Sequence, residues 1–172
     1  MRKFVKRAAL FASSAVMAVP AMVVSGGAAH ATGFTSIRVN GSTHCLDNAT
    51  ENADKIQMWN CTGGAEQKWF PEFNASTNSF SLVNQNTGSC ITTPYPNGPG
   101  PLVMLFCLGS TSQQWNIIFT SVPHGQTSGG YSVWQNVESG LCLSTDSVAN
   151  GTAPRTWPCD VGAQYEQWHF DN

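Results

Sequence analysis

Six cysteines give this sequence its most distinctive chemistry, because thiols at regular spacing either oxidise in pairs or bind a metal. The intervals inside three successive pairs are 16, 17 and 17 residues, whereas the intervals between the pairs are 29 and 35. No Cys-x-x-Cys pair typical of a zinc site is present, so we expect no metal. The spacing predicts three consecutive disulfides: Cys45 with Cys61, Cys90 with Cys107, and Cys142 with Cys159.

Carboxylates are the second group that could do chemistry. Asp47, Glu66 and Asp146 could in principle supply the acid and base of a glycoside hydrolase, but nothing in the sequence marks such a pair. The chain also lacks the Gly-x-Ser-x-Gly, His-Glu-x-x-His and phosphate-binding glycine motifs. We therefore expect a protein that is not an enzyme and that needs no cofactor.

Residues 1–31 differ in character from the rest of the chain. Four basic residues precede an apolar run at 8–24, and small residues follow as far as Ala31. This pattern is typical of a secretory signal peptide, and it predicts cleavage after Ala31 and an extracellular location. Ser13, Ser14 and Pro20 interrupt the run, which disfavours an uncleaved membrane anchor. Secretion would also place the cysteines in an oxidising compartment.

The composition of residues 32–172 favours one strand-rich domain. Over the full 172 residues only 10% are charged, against roughly a quarter in an average soluble domain, and 16 are glycine, 14 of them within residues 32–172. Once residues 1–31 are removed, four basic and ten acidic side chains remain, a net charge of −6. An acidic surface of this kind makes nucleic acid an improbable partner, and we expect no membrane insertion.

A sequence pattern recurs three times with the cysteines, in repeats at roughly 32–76, 77–127 and 128–172. Each repeat closes with a Gln-x-Trp motif or a variant of it: Gln67-Lys68-Trp69, Gln113-Gln114-Trp115 and Glu166-Gln167-Trp168. An apolar residue stands eight positions before each first cysteine, at Ile37, Leu82 and Trp134. Recurrent large apolar residues predict a shared core, and the Gly-, Ser- and Pro-rich stretch at 120–130 predicts a surface loop.

The pattern resembles the ricin-type lectin family, which includes carbohydrate-binding modules attached to secreted bacterial glycosidases. The matching features are the paired cysteines and the closing Gln-x-Trp, and they extend over essentially all of residues 32–172. The resemblance implies an all-β fold, the β-trefoil, with three pseudo-symmetric four-stranded repeats. Its twelve strands form a six-stranded barrel closed by three hairpins. Glu166 departs from the motif, although a carboxylate can still accept hydrogen bonds there.

The resemblance also implies which residues bind a sugar. In this family a polar residue two positions after the first cysteine binds hydroxyls, and an aromatic residue two before the second cysteine stacks on the sugar ring. The corresponding residues of the first repeat, with neighbouring polar groups, are Asp47, Gln57, Trp59, Glu66 and Gln67. Asp47 alone would also suit a turn, but Gln57 and Trp59 at the expected positions favour a binding site, with Gln67 as support for Asp47.

The other two repeats are less complete. The second has Thr92, Val103 and Leu105 at these positions, so it lacks both a carboxylate and an aromatic ring, and we predict that it does not bind sugar. The third is intermediate and gives a possible second carbohydrate site: Ser144, Asp146, Arg155 and Trp157. There Ser144 replaces the aspartate, and Asp146 could substitute for it through a shift of the loop.

We interpret the chain as a secreted, non-catalytic lectin that recognises galactose-type or xylan-type saccharides mainly through its first repeat. The alternative is an interaction or targeting subunit of a secreted toxin, enzyme or inhibitor complex, so a partner protein is kept as a hypothesis beside the saccharide. An enzyme is the least favoured class, because the carboxylates carry no recognisable catalytic arrangement.

Overall fold

The computed structural model describes residues 33–121 and 130–171. The predicted signal peptide at 1–31 and residues 122–129 of the predicted surface loop therefore lie outside the described residues. Within the described ranges, no helix has the length and apolar character needed to cross a membrane. The strands are β1 (Thr35–Val39), β2 (His44–Asn48), β3 (Ile56–Asn60), β4 (Lys68–Asn74), β5 (Ser79–Asn84), β6 (Ser89–Thr92), β7 (Gly100–Pro101), β8 (Val103–Phe106), β9 (Trp115–Thr120), β10 (Ser132–Asn136), β11 (Cys142–Ser144), β12 (Arg155–Trp157) and β13 (Trp168–Asp171).

Six strands close into a barrel. Strand β1 pairs antiparallel with β4, β4 with β5, β5 with β9, β9 with β10, β10 with β13, and β13 again with β1. These are the first and last strands of the three repeats, so every repeat contributes two strands to the barrel. Ring closure leaves none of the six as an open sheet edge. The barrel and the threefold arrangement are those of the β-trefoil that the sequence predicts.

Each repeat contributes one hairpin in addition to its two barrel strands, and each hairpin carries one of the disulfides. The hairpins are formed by β2 with β3, β6 with β8, and β11 with β12. The predicted pairing is confirmed, with bridges Cys45–Cys61, Cys90–Cys107 and Cys142–Cys159. Each bridge joins the two strands of one hairpin at its open end, opposite the turn. The bridge closes a loop of about 17 residues and so restrains the unfolded chain.

One strand exceeds the expected twelve. The two-residue β7 pairs with β12 of the third repeat, with Gly100 opposite Thr156 and Pro101 opposite Arg155. Leu102 continues the link, because its N–H donates to the carbonyl of Pro154 at 3.0 Å. The ring of Tyr95 packs closely over Gly100, where a Cβ would lie 2.2 Å from Tyr95 Cδ2, so any other residue here would displace that ring. The four expected strands are present in every repeat, and the second repeat gains β7 in addition because its hairpin loop pairs with the neighbouring repeat.

The core is built from the closing tryptophans of the repeats. Trp69, Trp115 and Trp168 are each 0% exposed, and Ile37, Leu82 and Trp134 pack with them in the same cluster, as predicted. Each indole Nε1 donates to the carbonyl of the aliphatic residue after the first cysteine: Trp69 to Leu46 at 2.9 Å, Trp115 to Ile91 at 3.4 Å and Trp168 to Leu143 at 2.9 Å. The rings therefore bury a large apolar area without leaving these three N–H groups unpaired.

The first residue of each closing motif fastens the end of its hairpin. Gln67 Nε2 donates to the carbonyl of Asn60 at 2.9 Å, and Gln67 Oε1 accepts from the Thr62 N–H at 2.7 Å. Gln113 repeats both bonds, with the Phe106 carbonyl and the Leu108 N–H, each at 2.8 Å. The amide thus bridges the two sides of the second cysteine in both repeats.

Glu166 keeps only the accepting half of this arrangement. Its Oε2 accepts from the Asp160 N–H at 2.8 Å, as the sequence led us to expect of a carboxylate. The side chain is 1% exposed, and burial raises the pKa of its carboxyl group above the usual value. An ionised carboxylate cannot donate, so the third repeat lacks the donated bond that Gln67 and Gln113 make.

We expect Trp115→Ala to lower the free energy of unfolding by about 3 to 5 kcal/mol, because it removes a fully buried ring and leaves a cavity. Chemical denaturation of the two proteins measures the difference. The control is Trp157→Ala, the same change at a ring that is 45% exposed, which we expect to cost about 1 kcal/mol or less. Equal losses from the two variants would contradict the assignment of Trp115 to the core.

Glu166→Gln should stabilise the protein at neutral pH by about 1 kcal/mol, the net contribution of a typical hydrogen bond, because an amide can donate as well as accept. A folded-state pKa above the unfolded one means that Glu166 favours folding at low pH and loses this contribution as the pH rises through the raised pKa. The gain should therefore shrink as the pH falls toward the ordinary value of 4.5.

Thermal unfolding between neutral pH and pH 4.5 tests this, with Gln113→Glu as the matched control. That variant introduces the same carboxylate at the equivalent buried position of the second repeat, so we expect it to destabilise the protein most at neutral pH. A Glu166→Gln variant that is less stable than the parent at every pH would show that the carboxylate makes contacts an amide cannot replace.

Candidate functional site

Asp47 lies on β2 and is held by two glutamine amides. Gln57, directly opposite it on β3, donates Nε2 to Asp47 Oδ1 at 3.0 Å. Gln67 donates Nε2 to Asp47 Oδ2 at 2.9 Å, so the amide that fastens the hairpin also supports this carboxylate. Asp47 is 4% exposed and Gln57 is 3% exposed. The orientation of the carboxylate is therefore fixed by bonds to both of its oxygens, each of which keeps a further lone pair.

Trp59 lies beside this carboxylate with part of its ring uncovered. Successive side chains of a strand point to opposite faces, so Met58 points into the core at 0% exposure while Trp59 points outward at 39%. The Trp59 ring and the Asp47 carboxylate face a cleft of about 160 Å³. Its lining residues are Asp47, Thr50, Glu51, Gln57, Trp59, Thr62 and Glu66. A half-exposed ring next to fixed acceptors can stack on an apolar face while the acceptors bind hydroxyls.

Glu66 forms another wall of the cleft. Its Oε1 accepts from the Thr62 hydroxyl at 2.9 Å, and Thr62 Oγ1 also lies 3.2 Å from Gln67 Oε1. The side chain folds closely over Gly64, where a Cβ would lie 2.2 Å from Glu66 Oε1. A chain of hydrogen bonds thus connects Asp47, Gln67, Thr62 and Glu66. The structure brings together all five residues that the sequence predicts for the first-repeat site.

The second repeat keeps the hydrogen-bonding support but has neither a carboxylate nor an aromatic ring at the corresponding positions. Gln113 Nε2 donates to Thr92 Oγ1 at 3.0 Å, in the place where Gln67 meets Asp47. Thr92 in turn donates its hydroxyl to the carbonyl of Cys90 at 3.0 Å. Leu105, at the position of Trp59, is 47% exposed and cannot stack as an aromatic ring does. The arrangement matches the incomplete repeat that the sequence describes.

The residues predicted for the third repeat lie close together, but their functional groups are engaged with one another. Arg155 donates from its Nη1 to both oxygens of Asp146, at 2.9 and 3.2 Å. The same guanidinium lies 4.0 Å from the centre of the Trp157 ring, in a cation–π contact. Ser144 is 6% exposed, opposite Arg155 in the strand pair. The Asp146 carboxylate and one face of Trp157 are therefore engaged by Arg155.

Three residues that line the cleft were not among the sequence-predicted ones: Thr50, Glu51 and Thr62. All three belong to the turns beyond β2 and β3, where no repeated motif marks a position. Thr62 directly follows the second cysteine of the repeat, and its N–H donates to Gln67 of the closing motif. Its position between these two recurring features is the one signal in the sequence that could have identified it. Within the described residues, no group of three or more His, Cys, Asp or Glu side chains is placed to hold a metal ion.

Solved structures with a similar fold include a designed threefold-symmetric protein, ThreeFoil, at a TM-score of 0.68 and 18% identity over 81% of this chain and 99% of that one. A ricin B-like lectin from Macrolepiota procera, in complex with lactose, matches at 0.63 and 16% identity, over 81% of this chain and 94% of that one. An exo-β-1,3-galactanase from Clostridium thermocellum matches at 0.67 and 19% identity over 81% of this chain. The chain spans only 30% of the galactanase, and these likenesses show the fold alone.

No curated protein sequence matches the chain. The family model of the ricin-type β-trefoil lectin domain, however, matches residues 29–115 and 78–172 in two overlapping regions. Together these regions contain all three repeats, all three disulfides and the cleft on the first hairpin. The chain therefore belongs to the family of ricin-type β-trefoil lectin domains.

Proposed function

We propose that the protein is a non-catalytic lectin that binds galactose-type or xylan-type saccharides mainly through the cleft of its first repeat. The observation that carries the proposal is the Asp47 carboxylate, held by the amides of Gln57 and Gln67 beside the half-exposed ring of Trp59. This combination offers preset acceptors for vicinal hydroxyls and a flat surface for the C–H face of a sugar. Membership of a lectin family supports the same reading.

The size of the cleft bears on affinity. At about 160 Å³ it has room for little more than one sugar ring, and it is open to solvent on the outer side of the hairpin. A single shallow site of this kind corresponds to dissociation constants in the millimolar to micromolar range, or about −4 to −8 kcal/mol. Tight attachment would then need clustered ligand, self-association or linkage to another binding protein.

Secretion is part of the proposal. Residues 1–31 carry the signal-peptide pattern, and we infer that the mature protein begins at residue 32 as a single trefoil domain. Support comes from the three disulfides, which form and persist in oxidising, extracellular surroundings. Mass spectrometry of the protein from culture medium would test the cleavage site after Ala31.

A role as the interaction or targeting subunit of a larger secreted complex is the second candidate. The observation that favours it is an apolar stretch at the end of the second hairpin, where Phe106 is 82% exposed and Leu108 is 83% exposed. Large apolar side chains at this exposure often mark protein interfaces. Under this hypothesis, Phe106→Ser with Leu108→Ser would abolish capture of a partner from the culture medium and leave sugar binding intact.

Asp47→Ala should remove most saccharide binding, because losing a charged hydrogen-bonding partner costs about 1.5 to 3 kcal/mol and a weak site has little affinity to lose. Trp59→Ala should abolish binding while costing far less stability than Trp115→Ala, since the ring is partly exposed. Glycan-array screening of the mature protein identifies the best ligand, and calorimetric titration measures each variant.

Thr92→Ala is the matched control, because Thr92 stands at the position of Asp47 in a repeat without a stacking ring. We expect it to bind like the parent protein. Retention of full affinity by a correctly folded Asp47→Ala variant would refute the first-repeat site, and the interaction-subunit hypothesis would then be preferred.

The third repeat offers a gain-of-function test. Ser144→Asp, Arg155→Gln and Glu166→Gln together copy the first-repeat set of carboxylate, amide and fastening amide beside Trp157. The change also releases the ring from the guanidinium that lies on it. We expect the number of bound sugars per chain to rise from one to two in calorimetry. Ser144→Asp alone, with Arg155 still on the ring, should keep one bound sugar per chain. A triple variant that also keeps one would show that the ring, the carboxylate and the two amides are not sufficient to make a site.

A further inference from the structure

The first-repeat cleft is dominated by groups that accept hydrogen bonds. The carboxylates of Asp47, Glu51 and Glu66 line it, and the Gln57 carbonyl oxygen adds a neutral acceptor. That Gln57 Oε1 is buried and has no hydrogen-bonding partner among the described residues. An unpaired buried acceptor is costly, so a ligand that brought a donor to this corner of the cleft would relieve that cost.

The donors of the cleft are largely used within the protein itself. Gln57 Nε2 donates to Asp47, and the Thr62 hydroxyl donates to Glu66. Among the described side chains that line the cleft, the donors that remain are the Thr50 hydroxyl, the Trp59 indole and the second N–H of Gln57 Nε2, against three carboxylates. A ligand that recognises this surface must therefore supply more donors than it accepts.

The charge of the cleft is equally one-sided. None of its lining residues, all of them described, is a lysine or an arginine. Lys55 lies nearby, but its Nζ binds Glu51 Oε1 at 3.2 Å, so it offsets the charge of only one of the three carboxylates. A hydrogen bond from its own backbone, followed by the bond from Lys55, holds the pKa of Glu51 below its usual value, which keeps this side chain ionised. Two carboxylates, those of Asp47 and Glu66, remain without a cationic partner.

On the basis of the proposed function, we propose that this cleft prefers a sugar that carries a protonated primary amine, a 2-amino-2-deoxyhexose, over its neutral counterpart. An ammonium group supplies three donors where a hydroxyl supplies one, and it complements the charge of Asp47 and Glu66. The ring of Trp59 adds to the preference, because the face of an indole attracts a cation placed over it. The carriers of this chemistry are polysaccharides with deacetylated amino sugars.

The third repeat provides an internal contrast. At the position of Gln57 it carries Arg155, whose guanidinium already lies over Trp157. The same place relative to the ring is therefore filled by a cation of the protein in the third repeat, while in the first repeat no described lysine or arginine lines the cleft. The cation–π contact within this chain illustrates the geometry that a ligand ammonium would take over Trp59.

Calorimetric titration at near-neutral pH and low ionic strength tests the proposal with galactosamine, galactose and N-acetylgalactosamine, and with the corresponding glucose series. We expect the free amino sugar of at least one series to bind about fivefold more tightly than its neutral and acetylated counterparts, a difference of about 1 kcal/mol. Salt should reduce this preference, because a partly exposed ion pair is screened.

Glu66→Gln removes one carboxylate from the cleft while keeping its shape, and it should reduce the ratio of amino-sugar to neutral-sugar affinity. Glu138→Gln makes the same change of charge on the exposed turn after β10, away from the cleft, and should leave the ratio unchanged. A reduction of the ratio by Glu66→Gln alone supports the proposal. An equal reduction by both variants would mean a general attraction to an acidic protein and would overturn it.

The outcomes separate this inference from the proposed function. Equal affinities for amino and neutral sugars, both lost in Asp47→Ala, would overturn the amine preference and leave the lectin proposal standing. Amino-sugar binding that survives Asp47→Ala would place the amine elsewhere and would also overturn the preference. An absence of binding to every sugar of both series would overturn the amine preference and the galactose-type part of the lectin proposal, leaving only the xylan-type part.

Discussion

The side-chain amide of Gln67 is the constraint on which the proposed site depends. It joins the Asn60 carbonyl and the Thr62 N–H on either side of Cys61, and its second N–H reaches Asp47. One planar group thus fixes the end of the hairpin relative to the carboxylate on its other strand. Two residues further along, Trp69 is buried in the core and donates to the carbonyl next to Asp47 in sequence, that of Leu46. The packing of the core and the orientation of the carboxylate are therefore set together.

The three repeats show how the same frame can be kept while the chemistry changes. The second repeat retains the amide bonds of Gln113 but presents them to Thr92, which has no charge and no neighbouring aromatic ring. The third retains its ring, but Glu166 cannot donate and Arg155 lies on Trp157. All three repeats keep a buried tryptophan, a disulfide and an accepting fastening group, whereas a binding site would also need a free ring and a free acceptor. A repeat can therefore keep the fold without presenting the groups that the first-repeat cleft presents.

Much of the fold could be predicted because its determinants recur in the sequence. The disulfides follow from equal spacing, and the buried tryptophans follow from a motif that appears three times. The pairing of β7 with β12 could not be predicted, since it depends on where two loops from different repeats meet. The contact of Arg155 with both Asp146 and Trp157 could not be predicted for a similar reason, because the spacing does not determine the path of the loop that carries Asp146. Glu51 and Thr62 reach the cleft from turns whose paths no local pattern determines.

The central claim is that saccharide binds against Asp47 and Trp59, and side-chain NMR of the nitrogen-labelled protein tests it most directly. The account predicts that titration with galactosamine shifts the Nε2 signals of Gln57 and Gln67 and the Nε1 signal of Trp59. The Nε2 signal of Gln113 and the Nε1 signal of Trp115 belong to the matching bonds of the second repeat and should stay in place. Shifts centred on Trp157 or on the second hairpin, with those of the first repeat unmoved, would contradict it.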